Sequence, residues 1–213
     1  MQEHTSKEAQ SQLVLLNSQE AIVYNINPSA AVDTSTSPLS TTNSATGVDI
    51  SWTYSSGITT VQMVANDLQV QQWVALGLSL DEEMGEDHVF VCQHLSDNSI
   101  VVKRLINPGG HVTPIAASSD EGGTFTATQM KLENSVVTCE FTLSNFGSRR
   151  RRQSTIPLLS QTTEYHPLIA IGPLDSSNAM QEHTSKEAQS QLVLLNSQEA
   201  IVYNINPSAA VDT

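Results

Sequence analysis

Residues 1–34 and residues 180–213 have the same sequence at every position, and this repeat constrains the fold more than any other feature. The copies start at Met1 and Met180, which gives a period of 179 residues. A unit of that length fits one domain with its own hydrophobic core. We therefore expect one full period of a tandem array followed by the start of the next, with an engineered duplication as the alternative.

The repeat and the composition together suggest where the domain lies. Residues 1–34 are expected to be the tail of a preceding unit, and the Ser/Thr-rich residues 35–47 a linker suited to O-glycosylation. The domain itself is expected at 48–206, followed by the start of the next linker at 207–213. Ser177–Ala179 resemble a cloning scar, which keeps the artificial alternative open.

The charge of the chain and its lack of long apolar segments exclude a nucleic-acid partner and a membrane span. The formal net charge is −13, and four of the nine basic residues lie in one run, 149–152. So acidic a surface repels phosphate backbones, so we expect no nucleic-acid partner. The arginine run resembles a furin-type processing site, but a solvated loop is favoured because cleavage there would cut through the domain. No stretch of 18 apolar residues is present, so no membrane span is expected.

Short apolar or alternating segments separated by turn residues predict an all-β chain. Abundant β-branched residues and the regular turn spacing are typical of an antiparallel β-sandwich of the immunoglobulin-like type, with about nine to ten strands. One short helix of a turn or two is predicted at 6–12 and again in its copy, 185–191. The predicted strands are 49–54, 58–64, 72–79, 88–92, 99–106, 124–131, 135–143, 167–171, 191–195 and 200–205.

Two cysteines, Cys92 and Cys139, lie in strand-like segments. Neither has a C-x-x-C partner, so a zinc site is not indicated. The residues allow a disulfide between neighbouring strands or two buried free thiols. The chain lacks a nucleophile elbow, a P-loop and a dinucleotide-binding glycine motif, so we expect that it is not an enzyme.

One segment has a recognisable motif. Residues 73–92 follow the pattern W-V-A-x-G-x-S-x-D-x-x-M-G-x-D-x-V-x-x-C. A C-x-F strand at 137–141 and the strand YHPLIAIGP at 165–173 follow in the same order. This combination resembles the DOMON family, extracellular β-sandwich domains related to the cellobiose dehydrogenase cytochrome domain and to ferric-chelate-reductase-like proteins. The resemblance covers roughly residues 48–195.

The resemblance implies a cofactor site. In heme-binding members of the family a methionine and a histidine ligate heme b, and the matching positions are Met84 and His183, which follows Gly172 by about ten residues. Such ligation suits electron transfer or heme carriage with a redox partner. His166 is a rival ligand, and Leu143 stands where the family often has arginine. Five carboxylates surround the methionine, which is unusual beside an anionic porphyrin unless they face solvent: Asp81, Glu82, Glu83, Glu86 and Asp87.

Two other functions remain open. The chain could be a cofactor-free structural or adhesive subunit whose neighbouring copies join head to tail, with the last strands of one unit inserted into the next sandwich to build a filament. Carbohydrate binding is a weaker alternative, with Trp52, Tyr54 and Trp73 as candidate stacking residues.

Overall fold

The computed structural model describes residues 47–109, 112–118, 121–147 and 156–205. The first copy of the repeat with its predicted helix, most of the predicted linker 35–47, the arginine run 149–152 and residues 207–213 lie outside the described residues. In the described part no helix is long and apolar enough to cross a membrane.

Twelve β-strands and no helix occupy the described residues. The predicted all-β class is therefore confirmed, with short strands added to those expected from sequence. The strands are β1 (Gly47–Ser55), β2 (Ile58–Asn66), β3 (Gln72–Ser79), β4 (Asp87–His94), β5 (Ile100–Asn107), β6 (Ile115–Ala116), β7 (Thr124–Glu133), β8 (Val136–Ser144), β9 (Glu164–Pro173), β10 (Ser185–Ala188), β11 (Val193–Leu194) and β12 (Glu199–Tyr203).

The strands form two antiparallel sheets that pack as a sandwich. The five-stranded sheet has the order β12-β1-β2-β8-β7, and the seven-stranded sheet has the order β10-β9-β3-β4-β5-β6, with β11 also pairing with β9. The β7–β8 hairpin turns at Asn134 and Ser135, whose φ angles are 51° and 65°. Positive φ at both central residues matches the right-handed twist of the flanking strands, so this turn sets the hairpin register.

The main core lies between the two sheets. Trp52, Phe90 and Phe141 are almost completely buried there, and the ring centroids of the two phenylalanines are 4.7 Å apart. Cys92 of β4 and Cys139 of β8 form a disulfide within this core. A disulfide between these two residues is thus confirmed, but it joins the two sheets rather than neighbouring strands of one sheet. It therefore acts as a covalent tie across the sandwich.

The predicted helix at 185–191 is wrong. Ser185–Ala188 form β10, which pairs with β9 in the register Ser185↔Ile171 to Ala188↔Leu168. Lys186, Glu187 and Ala188 are good helix formers, but so short a segment does not offset the cost of helix nucleation. The edge of β9 supplies backbone partners that an isolated helical turn lacks, and pairing therefore prevails.

The second copy of the repeat contributes three strands to the sandwich. A turn at Asp175–Ala179 reverses the chain after β9, and Asp175 Oδ1 accepts hydrogen bonds from the backbone of Ser177 and Ala179. The chain then runs back along β9 as β10 and β11, and β12 pairs with β1 on the other sheet. The copy thus closes the sandwich on one side.

Candidate functional site

The seven-stranded sheet is buried on both of its faces. Every residue of β3 and of β4 is buried, although alternate side chains of a strand point to opposite sides. One set packs in the core between the sheets, and the other forms a second apolar cluster on the outer face. An antiparallel sheet commonly leaves one face to solvent, so a covered outer face needs an explanation.

Small residues make the outer face of this sheet shallow. Ala75 pairs with Ala170, and Gly77 pairs with Leu168, in the middle of the face. A Cβ atom at Gly77 would lie 3.2 Å from the Cβ atom of Leu168, so a larger side chain would fill the space above the strand. Trp73 borders this surface, and its Nε1 donates a hydrogen bond to Pro173 O at 3.0 Å. We call the surface formed by Trp73, Ala75, Gly77, Leu168 and Ala170 the apolar floor.

Two adjoining cavities lie over the apolar floor. Their volumes are about 480 Å³ and about 430 Å³, in the range of small-molecule and cofactor sites. The first extends over Ala75, Gly77 and Ala170, and the second extends toward the start of the second repeat copy. Six residues line both cavities: Trp73, Met84, Asn107, Pro114, Met180 and Lys186.

Met84 lies on the loop between β3 and β4. Asp81 anchors the loop, since its Oδ1 accepts a hydrogen bond from Glu83 N at 2.9 Å. On the other side of the methionine, Gly85 N donates to Asp87 Oδ2 at 2.7 Å. These two bonds fix the backbone around Met84, whose side chain is 47% exposed and lines both cavities. Its thioether is accessible to a ligand in the cavities.

His183 lines the second cavity and is partly buried. Its backbone lies directly on Gly172, where an added Cβ would come within 2.9 Å of His183 Cα and 2.6 Å of Trp73 Cζ2. Thr184 N donates to Ile171 O at 2.8 Å and holds the same segment against β9. Only glycine at 172 allows this approach, and the structure therefore brings His183 to the cavity that Met84 also lines.

The rival histidine has other partners. His166 lines neither cavity; its Nδ1 lies 3.2 Å from Gln189 O and 3.9 Å from Glu82 Oε1. Two further histidines are buried by the structure and hydrogen-bonded: His88 to Pro157 O and His94 to Leu68 O. In the described residues His183 is thus the histidine that lines a cavity.

Four of the five carboxylates around Met84 are exposed: Asp81, Glu82, Glu83 and Glu86, whereas Asp87 is buried. Three of the five, Glu82, Glu83 and Asp87, line the first cavity. Burial raises the pKa of Asp87, and its Oδ1 has no hydrogen-bond partner among the described residues. Burial thus favours the uncharged acid, which lowers the electrostatic cost of an anionic ligand beside it.

Sequence patterns missed part of the site. Met180 and Lys186 come from the second repeat copy, and Asn107 and Pro114 come from the connection after β5. None of them belongs to the motif at 73–92. The sequence carried one signal, the run Trp73–Ser79, in which polar residues do not alternate with apolar ones. A strand of this kind needs cover on both faces of its sheet.

The structure also gives the positions of the three residues predicted to stack on a carbohydrate. Trp52 lies in the core and donates its Nε1 hydrogen to Leu194 O, so it is unavailable for stacking on a sugar. Trp73 is 4% exposed but lines both cavities, and Tyr54 is 41% exposed on β1. No group of three or more metal-binding His, Cys, Asp or Glu side chains occurs within the described ranges. A methionine–histidine pair lies outside that definition.

Comparison with known proteins places the domain in a family. The chain is 29% identical over 139 residues to "Putative ferric-chelate reductase 1" of Danio rerio, a match covering 65% of this chain and 21% of that protein. It is 28% identical over 148 residues to human "DOMON domain-containing protein FRRS1L", covering 66% of this chain and 44% of that protein. The chain thus spans less than half the length of either relative.

A solved structure and a family model complete the comparison. The cytochrome domain of Myriococcum thermophilum cellobiose dehydrogenase aligns with a TM-score of 0.41 and 12% sequence identity, over 76% of each chain. The model of the DOMON domain matches residues 44–172 and ends before His183. This match spans more than half of the chain, and the chain therefore belongs to the DOMON domain family.

Proposed function

We propose that this DOMON domain binds heme b over the apolar floor, with Met84 and His183 as the iron ligands, and serves as an extracellular electron-transfer or heme-carrying module. The observation that carries the proposal is that a thioether and an imidazole line one cavity, and that this cavity adjoins another above a shallow apolar surface. Neither relative's whole-protein activity is assigned to this chain, and the domain is proposed to act without turning over a substrate itself.

The shape of the site supports a flat, largely apolar ligand. Ala75, Gly77 and Ala170 leave room above the sheet that larger side chains would occupy. Trp73 offers an aromatic surface at the border of both cavities. Apolar walls with a few polar groups are typical of cofactor sites, and the two adjoining cavities supply both the area and the polar rim.

The two proposed ligands suit one kind of chemistry. Met84 offers a soft sulfur on an anchored loop, and His183 offers an imidazole nitrogen on a segment held against β9. Heme iron held by both side chains would exchange electrons without leaving a free coordination position for oxygen. Met180 is a second thioether on the cavity wall, which makes it the natural comparison for Met84.

Charge at the site also supports a ligand that carries carboxylate groups. Lys186 lines both cavities and supplies a cation for a carboxylate group at the rim. Glu82 and Glu83 of the Met84 loop line the first cavity but are exposed, so solvent and salt screen their charge, and the buried Asp87 has a raised pKa because of desolvation. The name of the zebrafish relative, a putative ferric-chelate reductase, also agrees with a role in electron transfer for a related domain.

Absorbance spectroscopy of the full chain titrated with hemin tests the proposal. We expect a Soret band that saturates at one heme per domain. Met84→Ala is expected to shift the band and weaken binding at least tenfold. His183→Ala is combined with His4→Ala, because His4 is the identical residue of the first copy. The double histidine variant is expected to lose the band.

Two matched variants serve as controls. His166→Ala removes a histidine that lines neither cavity, and Met180→Ala removes the neighbouring thioether. Both are expected to keep the position of the Soret band. A folded protein without heme affinity would contradict the proposal, as would a spectrum that Met84→Ala and the double histidine variant leave unchanged.

A further inference from the structure

The second repeat copy fills a defined groove in the sandwich. It runs along β9 as β10 and β11 and then along β1 as β12, with five paired positions from Val48↔Tyr203 to Trp52↔Glu199. Two side chains of the five-stranded sheet bond to its backbone: Trp52 Nε1 to Leu194 O at 3.0 Å and Thr59 Oγ1 to Leu195 O at 2.6 Å. We call this place, between β9 and β1, the closing groove.

Four apolar side chains of the second copy complete the main core. Val193, Leu195, Tyr203 and Ile205 are between 0% and 6% exposed and belong to the cluster between the sheets. Without the second copy the core would be open to water along this side. The domain therefore needs an occupant in the closing groove.

The first copy of the repeat carries the same four side chains at the same spacing, as Val14, Leu16, Tyr24 and Ile26. It also carries the same cavity-lining residues, with Met1, His4 and Lys7 as the equivalents of Met180, His183 and Lys186. Each property that suits the second copy to the closing groove is thus present twice in the chain, while the described sandwich offers one groove.

We propose that the closing groove is a binding site for the 34-residue repeat itself, and that residues 1–34 of the same chain are its alternative occupant. When they occupy it, residues 180–213 are released, and His4 takes the place of His183 beside Met84. This last consequence rests on the proposed function, whereas the exchange of the two copies does not.

The connection between the first copy and β1 is long enough for this exchange. A Cβ atom at Gly47 would lie 2.5 Å from Tyr203 O and 3.8 Å from Asn204 Cα, so β1 begins where β12 ends. With Ile26 in the place of Ile205, residues 27–46 would have to return only to this neighbouring point. Twenty residues span such a gap without strain.

Loop closure predicts which copy is preferred. The second copy follows β9 through the short turn Asp175–Ala179, whereas the first copy reaches the groove through residues 27–46. The entropy of closing a loop about four times longer favours the second copy by roughly tenfold. The first copy is therefore a minor occupant until the second is weakened, and a small bias decides between them.

Substitutions that remove one copy from competition test the proposal in the full chain. Val193→Asp with Tyr203→Asp disables the second copy, and Val14→Asp with Tyr24→Asp disables the first. We expect the first-copy variant to unfold at the wild-type temperature and the second-copy variant to unfold cooperatively about 5 °C lower. The variant with all four substitutions should show no cooperative transition. Addition of a synthetic peptide of residues 1–34 should restore the transition.

The control changes an exposed position of the same strand. Val202 is 47% exposed on β12, and Val202→Asp with its twin Val23→Asp should leave the melting temperature unchanged. If the second-copy variant is as unfolded as the chain with all four substitutions, the first copy is not an occupant. A second-copy variant that folds only as a dimer or larger in light scattering would also overturn the proposal, since the occupant would then come from another molecule.

A failure of the exchange is distinguishable from a failure of heme binding. Thermal unfolding without heme reports on the closing groove alone. In the second-copy variant loaded with hemin, His4→Ala rather than His183→Ala is expected to remove the Soret band. If the variants unfold as expected but no Soret band appears with hemin, only the proposed function is contradicted.

Discussion

The two faces of the seven-stranded sheet are built by alternate residues of the same strands, yet they serve different purposes. On the inner face Leu76 and Phe90 are fully buried against the five-stranded sheet. On the outer face Ala75, Gly77 and Ala170 are equally covered, but they lie beneath cavities rather than beneath another sheet. Side-chain volume, rather than hydropathy, distinguishes the packed face from the face that carries the cavities.

The difference between the faces is sharpest at two adjacent residues of β4. His88 points into the sandwich, where Arg104 Nη2 donates to its Nδ1 at 3.4 Å and its Nε2 lies 2.8 Å from Pro157 O. Since arginine can only donate and a carbonyl can only accept, the neutral Nε2–H tautomer satisfies both contacts. Asp87 points the other way and lines the first cavity. One neighbour is satisfied by the protein, and the other keeps an oxygen without a partner.

The largest expected effect concerns His88 and acid. Burial, together with the charge of Arg104, lowers the pKa of His88 from 6.5 to about 4. The unfolded chain then binds more protons than the folded one, so this contribution to stability is complete above pH 6.5 and is lost as the pH falls through about 4. The difference between the two pKa values corresponds to about 3 kcal/mol in the free energy of unfolding.

Urea unfolding of wild type and His88→Gln between pH 4 and pH 7.5 measures this effect. The variant keeps a donor and an acceptor but does not titrate, so its stability is expected to fall less steeply toward acid. Phe90→Leu, at a buried position of the same strand that does not titrate, serves as the matched control and should retain the wild-type slope. Parallel curves for wild type and His88→Gln would contradict the assignment.

The second expected effect compares two glycines of the outer face. Gly172→Ala would place a methyl group 2.6 Å from Trp73 Cζ2 and 2.9 Å from His183 Cα, whereas Gly77→Ala would meet only the side chain of Leu168 at 3.2 Å. We expect the change at 172 to cost about 1–3 kcal/mol, because backbone must move, and the change at 77 to cost less.

Urea unfolding free energies of the two alanine variants give the comparison, and hemin titration adds a readout of the site. Gly172→Ala should weaken heme binding through displacement of His183, and Gly77→Ala should weaken it by narrowing the space above the floor. Equal stability of both variants and wild type would show that the outer face tolerates extra volume, against the geometry described above.

Sequence patterns predicted the inner face of the sandwich well. The strand 72–79 was predicted with the bounds that the structure has, and the predicted strands 124–131 and 135–143 differ from β7 and β8 by one or two residues at their ends. Such elements are defined by local alternation and turn residues, which a single sequence carries. The disulfide followed from the same patterns, although the sequence alone did not show that it joins two sheets.

The outer face was harder to predict because it depends on contacts between distant segments. Ser185–Ala188 were expected in a helix, and only the free edge of β9 makes them a strand. The cavities extend over the face of the sheet, where residues of several strands and loops meet, and no single segment specifies that arrangement. Met84 and His183 were named from a family motif and its spacing, but Met180 and Lys186 join them only through the fold.

The smallest expected effect concerns Asp87, the cavity-facing neighbour of His88. Burial raises the pKa of its carboxyl, so the folded chain binds the extra proton, and this stabilisation is complete below pH 3.8 and is lost as the pH rises through the raised value. Asp87→Asn can still accept the hydrogen bond of Gly85 N but carries no charge. Its stability relative to wild type should therefore increase from pH 3.5 to pH 7, opposite in sign to the His88 effect. Urea unfolding at the two pH values measures it, with the exposed Glu86→Gln as control. A difference independent of pH would mean that the pKa of Asp87 is the same in the folded and the unfolded chain, and that the two faces of β4 do not differ in the way the structure indicates.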